Sequence, residues 1–139
     1  MIRTNYDRVR GWMAAVEQPT PDRFTPYEDL ADVEKRINLR RSLIAEEMNE
    51  LFEEIAPGKK RDYNAIVKEA CDLLVVTYGL FADLGIDADA AMSIVCDNND
   101  NKVHHRQVRK DGKAIVPKTV KELLKRQVKE KLDTLINLP

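Results

Sequence analysis

Two cysteines, Cys71 and Cys96, are all that this 139-residue chain contains. Two thiols make no disulfide framework; they suit a reducing compartment, with both predicted to be packing groups. No apolar run is long enough to span a bilayer, since Lys68 and Asp72 interrupt the best candidate, and no signal-peptide pattern is present. A net charge of −1 supplies no field for a nucleic acid polymer or an anionic membrane. Internal repeats, low-complexity tracts and Gly/Ser linkers are missing as well. What remains is a cytoplasmic protein of one domain, residues 1–139, large enough to bury a core.

Helical periodicity dominates what is there. Val9, Trp12, Met13 and Val16 share one side of a predicted helix over residues 2–17, with Trp12 and Phe24 expected in core or loop-anchoring roles. Pro19, Pro21 and Pro26 punctuate the loop that follows. Thr25-Pro26 offers an N-cap and a first-turn proline for a second helix over 27–55, ended by Pro57-Gly58. A third helix is predicted over 63–83 and stopped by Gly85. Asp87 can cap a fourth from residue 88, with Ala91, Met92, Ile94 and Val95 apolar before a polar run from Asp97 to Lys102. Asp111-Gly112 reads as a turn and 114–116 as a short extended piece. A last helix over 119–137 carries a stripe of Val120, Leu124, Val128, Leu132 and Leu135 under a lysine-coated back. The fold class is all-α, a bundle of four to five helices.

Acidic residues set the second and third helices apart. Glu46, Glu47 and Glu50 lie within one turn of each other, and Glu69 sits three residues before Asp72, so each set shares a helix face. The second helix alone reads as ordinary: Ile37, Ile44, Met48, Leu51 and Ile55 form a stripe and the acids a solvated arc beside it. The third helix is apolar on nearly every side and is expected to be buried, yet it holds Glu69 and Asp72. Removing a carboxylate from water costs several kcal/mol, and each like-charge pair at ~4 Å adds roughly 4 kcal/mol at an effective dielectric near 20. Lys68 is expected on another part of the helix surface. Divalent cations then neutralise the cluster most economically, and all-oxygen ligands favour Mg²⁺, or Mn²⁺, over zinc.

Glu46-Glu47-x-x-Glu50, eighteen residues, then Glu69-x-x-Asp72 resembles the EExxE…ExxD signature of the all-α nucleoside triphosphate pyrophosphohydrolases, which include MazG-type enzymes, dimeric dUTPases and phosphoribosyl-ATP pyrophosphohydrolases. Asn99-Asp100-Asn101-Lys102-Val103 with Lys110-Asp111-Gly112-Lys113 is similar to the "NMSK…DGK" tail of the phosphoribosyl-ATP branch, with polar residues where those relatives carry Met-Ser. The resemblance spans about residues 28 to 118.

It implies a helical bundle completed by oligomerisation and a Mg²⁺-dependent hydrolase that attacks the α-phosphorus of a (deoxy)nucleoside triphosphate, releasing the monophosphate and pyrophosphate. Glu47, Glu50, Glu69 and Asp72 would ligate Mg²⁺. Glu46 would share a second ion or hold the attacking water, and is the expected base ahead of Glu47. Asn99 would contact sugar or base and Lys102 the polyphosphate, with Lys113 and Lys118 weaker candidates. His104, His105, Arg106, Arg109 and Lys110 make a basic run that reads as solvated surface. Phosphoribosyl-ATP is the alternative substrate; the tail motif favours it, and the N-terminal helix and proline loop, longer than a minimal enzyme needs, speak against it.

Two other classes are weighed. A di-metal carboxylate oxidase needs Glu-x-x-His pairs, which are missing. A helical interaction protein that has lost catalysis would show damage in the acid set, which is complete. An acid-lined groove between few helices is rarely buried by one chain, so a homodimer is expected, with a tetramer as the alternative and the final helix as the contributing surface.

Overall fold

The computed structural model describes residues 2–105, 107–108 and 110–137. Two compact units are formed, Met1–Ile86 and Asp87–Pro139.

The first unit opens with α1 (Asn5–Ala15), shorter at both ends than the sequence pattern predicts. Its start is a capping box: the Thr4 hydroxyl accepts from the Asp7 backbone N–H, and the Asp7 carboxylate accepts from that of Thr4. The bond from the Thr4 backbone holds the Asp7 carboxyl below its ordinary range. The inward stripe is Tyr6, Val9 and Met13, not Val9, Trp12, Met13 and Val16. Tyr6 and Met13 are buried, whereas Trp12 stands on the flank, 60% exposed. The Tyr6 hydroxyl donates to the Ile86 carbonyl at 2.6 Å, and its ring lies 5.7 Å from that of Tyr78.

After the prolines the chain does not enter a helix directly. Tyr27–Asp29 forms one 3₁₀ turn, and α2 (Val33–Glu54) starts only after Asp32, at φ 56°. Left-handed backbone ends any helix begun at Pro26, and Asp is among the few residues that adopt it readily. The loop is tied to the end of α3 (Tyr63–Leu84). The Thr25 N–H donates to the Leu84 carbonyl at 2.9 Å, and Arg10 donates to the carbonyls of Thr20 and Pro21. Gly85, the αL C-cap of α3 at φ +66°, also admits this loop, because a Cβ there would collide with the Arg23 carbonyl.

α2 packs antiparallel on α3, and α1 packs on α3 as well. Burial of α3 is far less complete than its composition predicts. Only Gly79, Ala82 and Asp83 are buried, while Val67 is 61% and Leu74 59% exposed. α1 and α2 each cover one side of α3, and the side bearing Tyr63, Val67, Cys71, Leu74 and Val75 stays open. Cys71 and Cys96 are exposed for the same kind of reason and are not packing groups.

In the second unit α4 (Ala88–Lys102) begins as predicted, with the Asp87 carboxylate accepting from the Ala90 N–H. It packs against α5 (Lys118–Ile136). Ala88, Ala91 and Leu124 are the buried apolar residues, and the rest of the α5 stripe is half-buried, so α4 supplies part of the surface those residues need. Between the helices β1 (Gln107–Val108) pairs antiparallel with β2 (Ala114–Ile115), Gln107 opposite Ile115. Apart from that ribbon and two 3₁₀ turns, the regular secondary structure of the described residues is α-helical, and the fold class is all-α. No helix among them is long and apolar enough to cross a membrane.

Candidate metal centre and active site

Glu47 and Glu50 come from the C-terminal third of α2, and Glu69 from the second turn of α3. Because the helices run antiparallel, the three acids meet: one oxygen from each lies within 4.8 Å of the others. Oxygens around an octahedral Mg²⁺ at ~2.1 Å lie roughly 3 to 4 Å from one another, so small side-chain rotations convert this spacing into coordination. Two carboxylates at that separation repel by roughly 3 kcal/mol at an effective dielectric of 20. Glu47 Oε2 and Glu69 Oε2 are buried and have no hydrogen-bond partner. An unpartnered buried carboxylate oxygen is costly. Two of them, on two acids of one three-carboxylate group, fit a site built for a hard divalent cation.

The two remaining acids are placed differently. Asp72 is one turn along α3 and about a third exposed, and it is engaged by Lys68 at 2.7 Å. Lys68 therefore does not point elsewhere, as the helical wheel predicts. Its flexible stem brings the ammonium back over the next turn, where it also lies 3.5 Å from Glu69. The Asp72 carboxylate is the main cause that pushes the Lys68 pKa up to about 12, with Glu69 adding to it. Glu46 is exposed and lies outside the three-acid group.

Asn99 and Lys102 belong to the second unit. They occupy the last turn of α4, where the Lys102 ammonium donates to the Asn99 side-chain oxygen at 3.3 Å. Lys113 is exposed in the turn after Gly112, its backbone N–H donating to Asp111. Lys118 is the exposed first residue of α5. His104, His105 and Lys110 are exposed, in keeping with solvated surface, while Arg106 and Arg109 lie outside the described residues.

Sequence reasoning missed a second polar group inside the first unit. Arg40 and Asp83 are both buried. The Arg40 guanidinium donates from Nε to Asp83 Oδ2 at 2.9 Å, from Nη2 to Asp83 Oδ1 at 3.2 Å, and from Nη1 to the Val76 carbonyl at 3.1 Å. The Tyr27 hydroxyl donates to Asp83 Oδ2 at 2.7 Å. Burial first, and the Asp83 bond second, raise the Tyr27 pKa well above its ordinary value. One signal was readable. Asp83 interrupts the apolar third helix as Glu69 does, and 40, 47 on one helix and 69, 76, 83 on the other repeat every seven residues, two turns along one face.

A family profile described as phosphoribosyl-ATP pyrophosphohydrolase matches residues 9–99, well over half the chain. The chain belongs to the phosphoribosyl-ATP pyrophosphohydrolase family. No curated protein matches it closely enough to count as a relative. Membership places the chain in the all-α nucleoside triphosphate pyrophosphohydrolase superfamily and makes it a hydrolase of acid anhydrides. The match to the phosphoribosyl-ATP pyrophosphohydrolase family begins at Val9 and so takes in most of α1 and the proline loop. Those segments, the sequence argument against the phosphoribosyl-ATP branch, are thus inside the family pattern, and the comparison favours that branch over the general nucleotide reading.

Proposed function

We propose that the protein is a Mg²⁺-dependent pyrophosphohydrolase that cleaves a nucleotide between its α- and β-phosphates, with phosphoribosyl-ATP as the preferred substrate. The observation that carries this reading is the convergence of Glu47, Glu50 and Glu69 with two buried oxygens lacking partners. A nucleoside polyphosphate is itself a polyanion, so these acids bind it only through a shared cation. When bound, Mg²⁺ supplies a bound water of lowered pKa and charge stabilisation on the phosphoryl oxygens; Mn²⁺ takes its place with the same ligands.

Glu47, Glu50 and Glu69 would hold the ion, and Asp72, engaged by Lys68 in the bare protein, would join them on giving up that bond. Glu46, exposed next to Glu47, accepts the proton of the attacking water. The tail resemblance implies polyphosphate contacts for Lys102 and Lys113 and a sugar or base contact for Asn99.

The open side of α3 supports a homodimer. Val67, Leu74 and Val75 on α3, with Phe52 at 56% exposure on α2, put large apolar side chains in water on the two helices that carry the acids. A second copy laid on these side chains would cover them, which puts the proposed interface on α2 and α3 in place of α5.

The test is product identification by ³¹P NMR with phosphoribosyl-ATP and a panel of (deoxy)nucleoside triphosphates, each with and without Mg²⁺. Pyrophosphate from phosphoribosyl-ATP at the highest kcat/KM is the expected result. Faster turnover of a deoxynucleoside triphosphate would replace the substrate, and no pyrophosphate from any of them would remove the activity.

A further inference from the structure

A Mg²⁺ site tolerates little misplacement. The ion demands near-octahedral ligands at about 2.0 to 2.1 Å, and working sites are held to within about 0.5 Å. Here the ligands come from two helices, and sliding α2 on α3 by a single residue displaces Glu47 by ~1.5 Å and rotates it by ~100°. Something must fix the register. Apolar contacts are a poor candidate, because the stripe of α2 is only half covered: Met48 is 39% and Ile55 45% exposed.

We infer that Arg40, Asp83 and Tyr27 are positioning residues for the metal centre: their buried network locks α2 on α3, about two helical turns from the acids along α2 and about four along α3, and so sets the separation of Glu47 and Glu50 from Glu69. The geometry has three parts. Arg40 is seven residues before Glu47, and Asp83 fourteen after Glu69, so the network and the acid cluster occupy the same two facing stripes. The guanidinium is held by three bonds to two turns of α3, two to the Asp83 carboxylate and one to the Val76 carbonyl, and that pattern fits one register only. Gly79 admits the approach: a Cβ there would lie 2.6 Å from Arg40 Cζ. Tyr27, delivered by the clamped proline loop, donates to the remaining face of Asp83 Oδ2. Loop, α2 and α3 therefore meet at one carboxylate.

A structural role alone makes a different prediction. Buried ion pairs often add little net stability, and apolar replacements of equal volume are commonly neutral or stabilising. What an apolar replacement cannot supply is the register. The inference rests on the metal reading proposed above, so the experiment separates the two. Mn²⁺ binding to the full chain is measured by calorimetry for wild type, Glu47→Gln, Arg40→Lys and the apolar triple variant Tyr27→Phe/Arg40→Met/Asp83→Leu, with melting temperatures alongside. The triple variant is expected to stay folded, with a melting temperature within a few degrees of wild type and a Mn²⁺ dissociation constant at least tenfold higher. Arg40→Lys keeps the charge but not the fork, and is expected to lose at least threefold. Wild-type affinity in the folded triple variant overturns the inference; should that variant fail to fold, wild-type affinity in Arg40→Lys overturns it. If wild type binds no Mn²⁺, or Glu47→Gln binds it equally well, the metal reading itself fails and the inference with it. If Glu47→Gln alone loses the ion, only the inference fails.

Discussion

Replacing Gly79 by alanine should destabilise the protein, although the residue lies inside α3, where alanine is ordinarily the better helix former by about 1 kcal/mol. An added Cβ would occupy the space of the Arg40 guanidinium, 2.6 Å from Cζ and 2.9 Å from Nη2. That group sits at the end of a flexible side chain, so it can move, and the cost is set by what it leaves behind. Moving it breaks the bond to the Val76 carbonyl and takes the guanidinium off Asp83, a buried carboxylate that then keeps only Tyr27. Separating a buried ion pair costs about 3 to 5 kcal/mol. Less the helix-propensity gain, about 2 to 4 kcal/mol remains. At roughly 3 to 4 °C per kcal/mol for a chain of this size, the melting temperature should fall by roughly 6 to 16 °C. Thermal unfolding followed by circular dichroism, with urea unfolding to confirm the free energy, reads this directly. A Gly79→Ala variant that melts at or above wild type would show that the guanidinium is not held where the argument requires.

Other expectations follow from the same contacts. Glu47→Gln removes one like charge from the acidic group, so the metal-free protein should melt higher while Mg²⁺-dependent turnover falls at least a hundredfold; retained turnover at saturating Mg²⁺ would take Glu47 out of the site. The Tyr27 hydroxyl, with its pKa raised, keeps its proton in the folded chain at pH values where the unfolded chain has lost it. Its contribution is therefore complete below about pH 10 and lost as pH rises further. Melting temperature should drop more steeply above pH 10 in wild type than in Tyr27→Phe, and parallel curves would contradict that. Leu74→Glu, on the open side of α3, should convert a dimer to a monomer in size-exclusion chromatography with light scattering; a wild-type monomer at micromolar concentration would remove the assembly.

The sequence made the helices and the acid pairing legible because both are local. Asp87 caps α4 through its own next turn, Gly85 ends α3, and Glu47, Glu50 and Glu69 are placed by spacing plus antiparallel packing. Other features depend on distant residues. The late start of α2 follows from the backbone turn at Asp32 and the tie between Tyr27 and Asp83, fifty-six residues away in sequence. Trp12 and Cys71 are apolar by composition yet exposed, because which side of a helix is covered depends on which partners exist. Lys68 shows the limit of a helical wheel, since a four-carbon stem reaches acids on either neighbouring turn. Arg40 was the hardest to see, because a buried guanidinium has the same letter as a solvated one.

The account depends most on the ion held between α2 and α3. A crystal soaked with Mn²⁺ and measured near the manganese edge should give an anomalous peak bounded by carboxylate oxygens of Glu47, Glu50 and Glu69. A peak elsewhere on the chain, or none while pyrophosphate release persists in the same preparation, would contradict it.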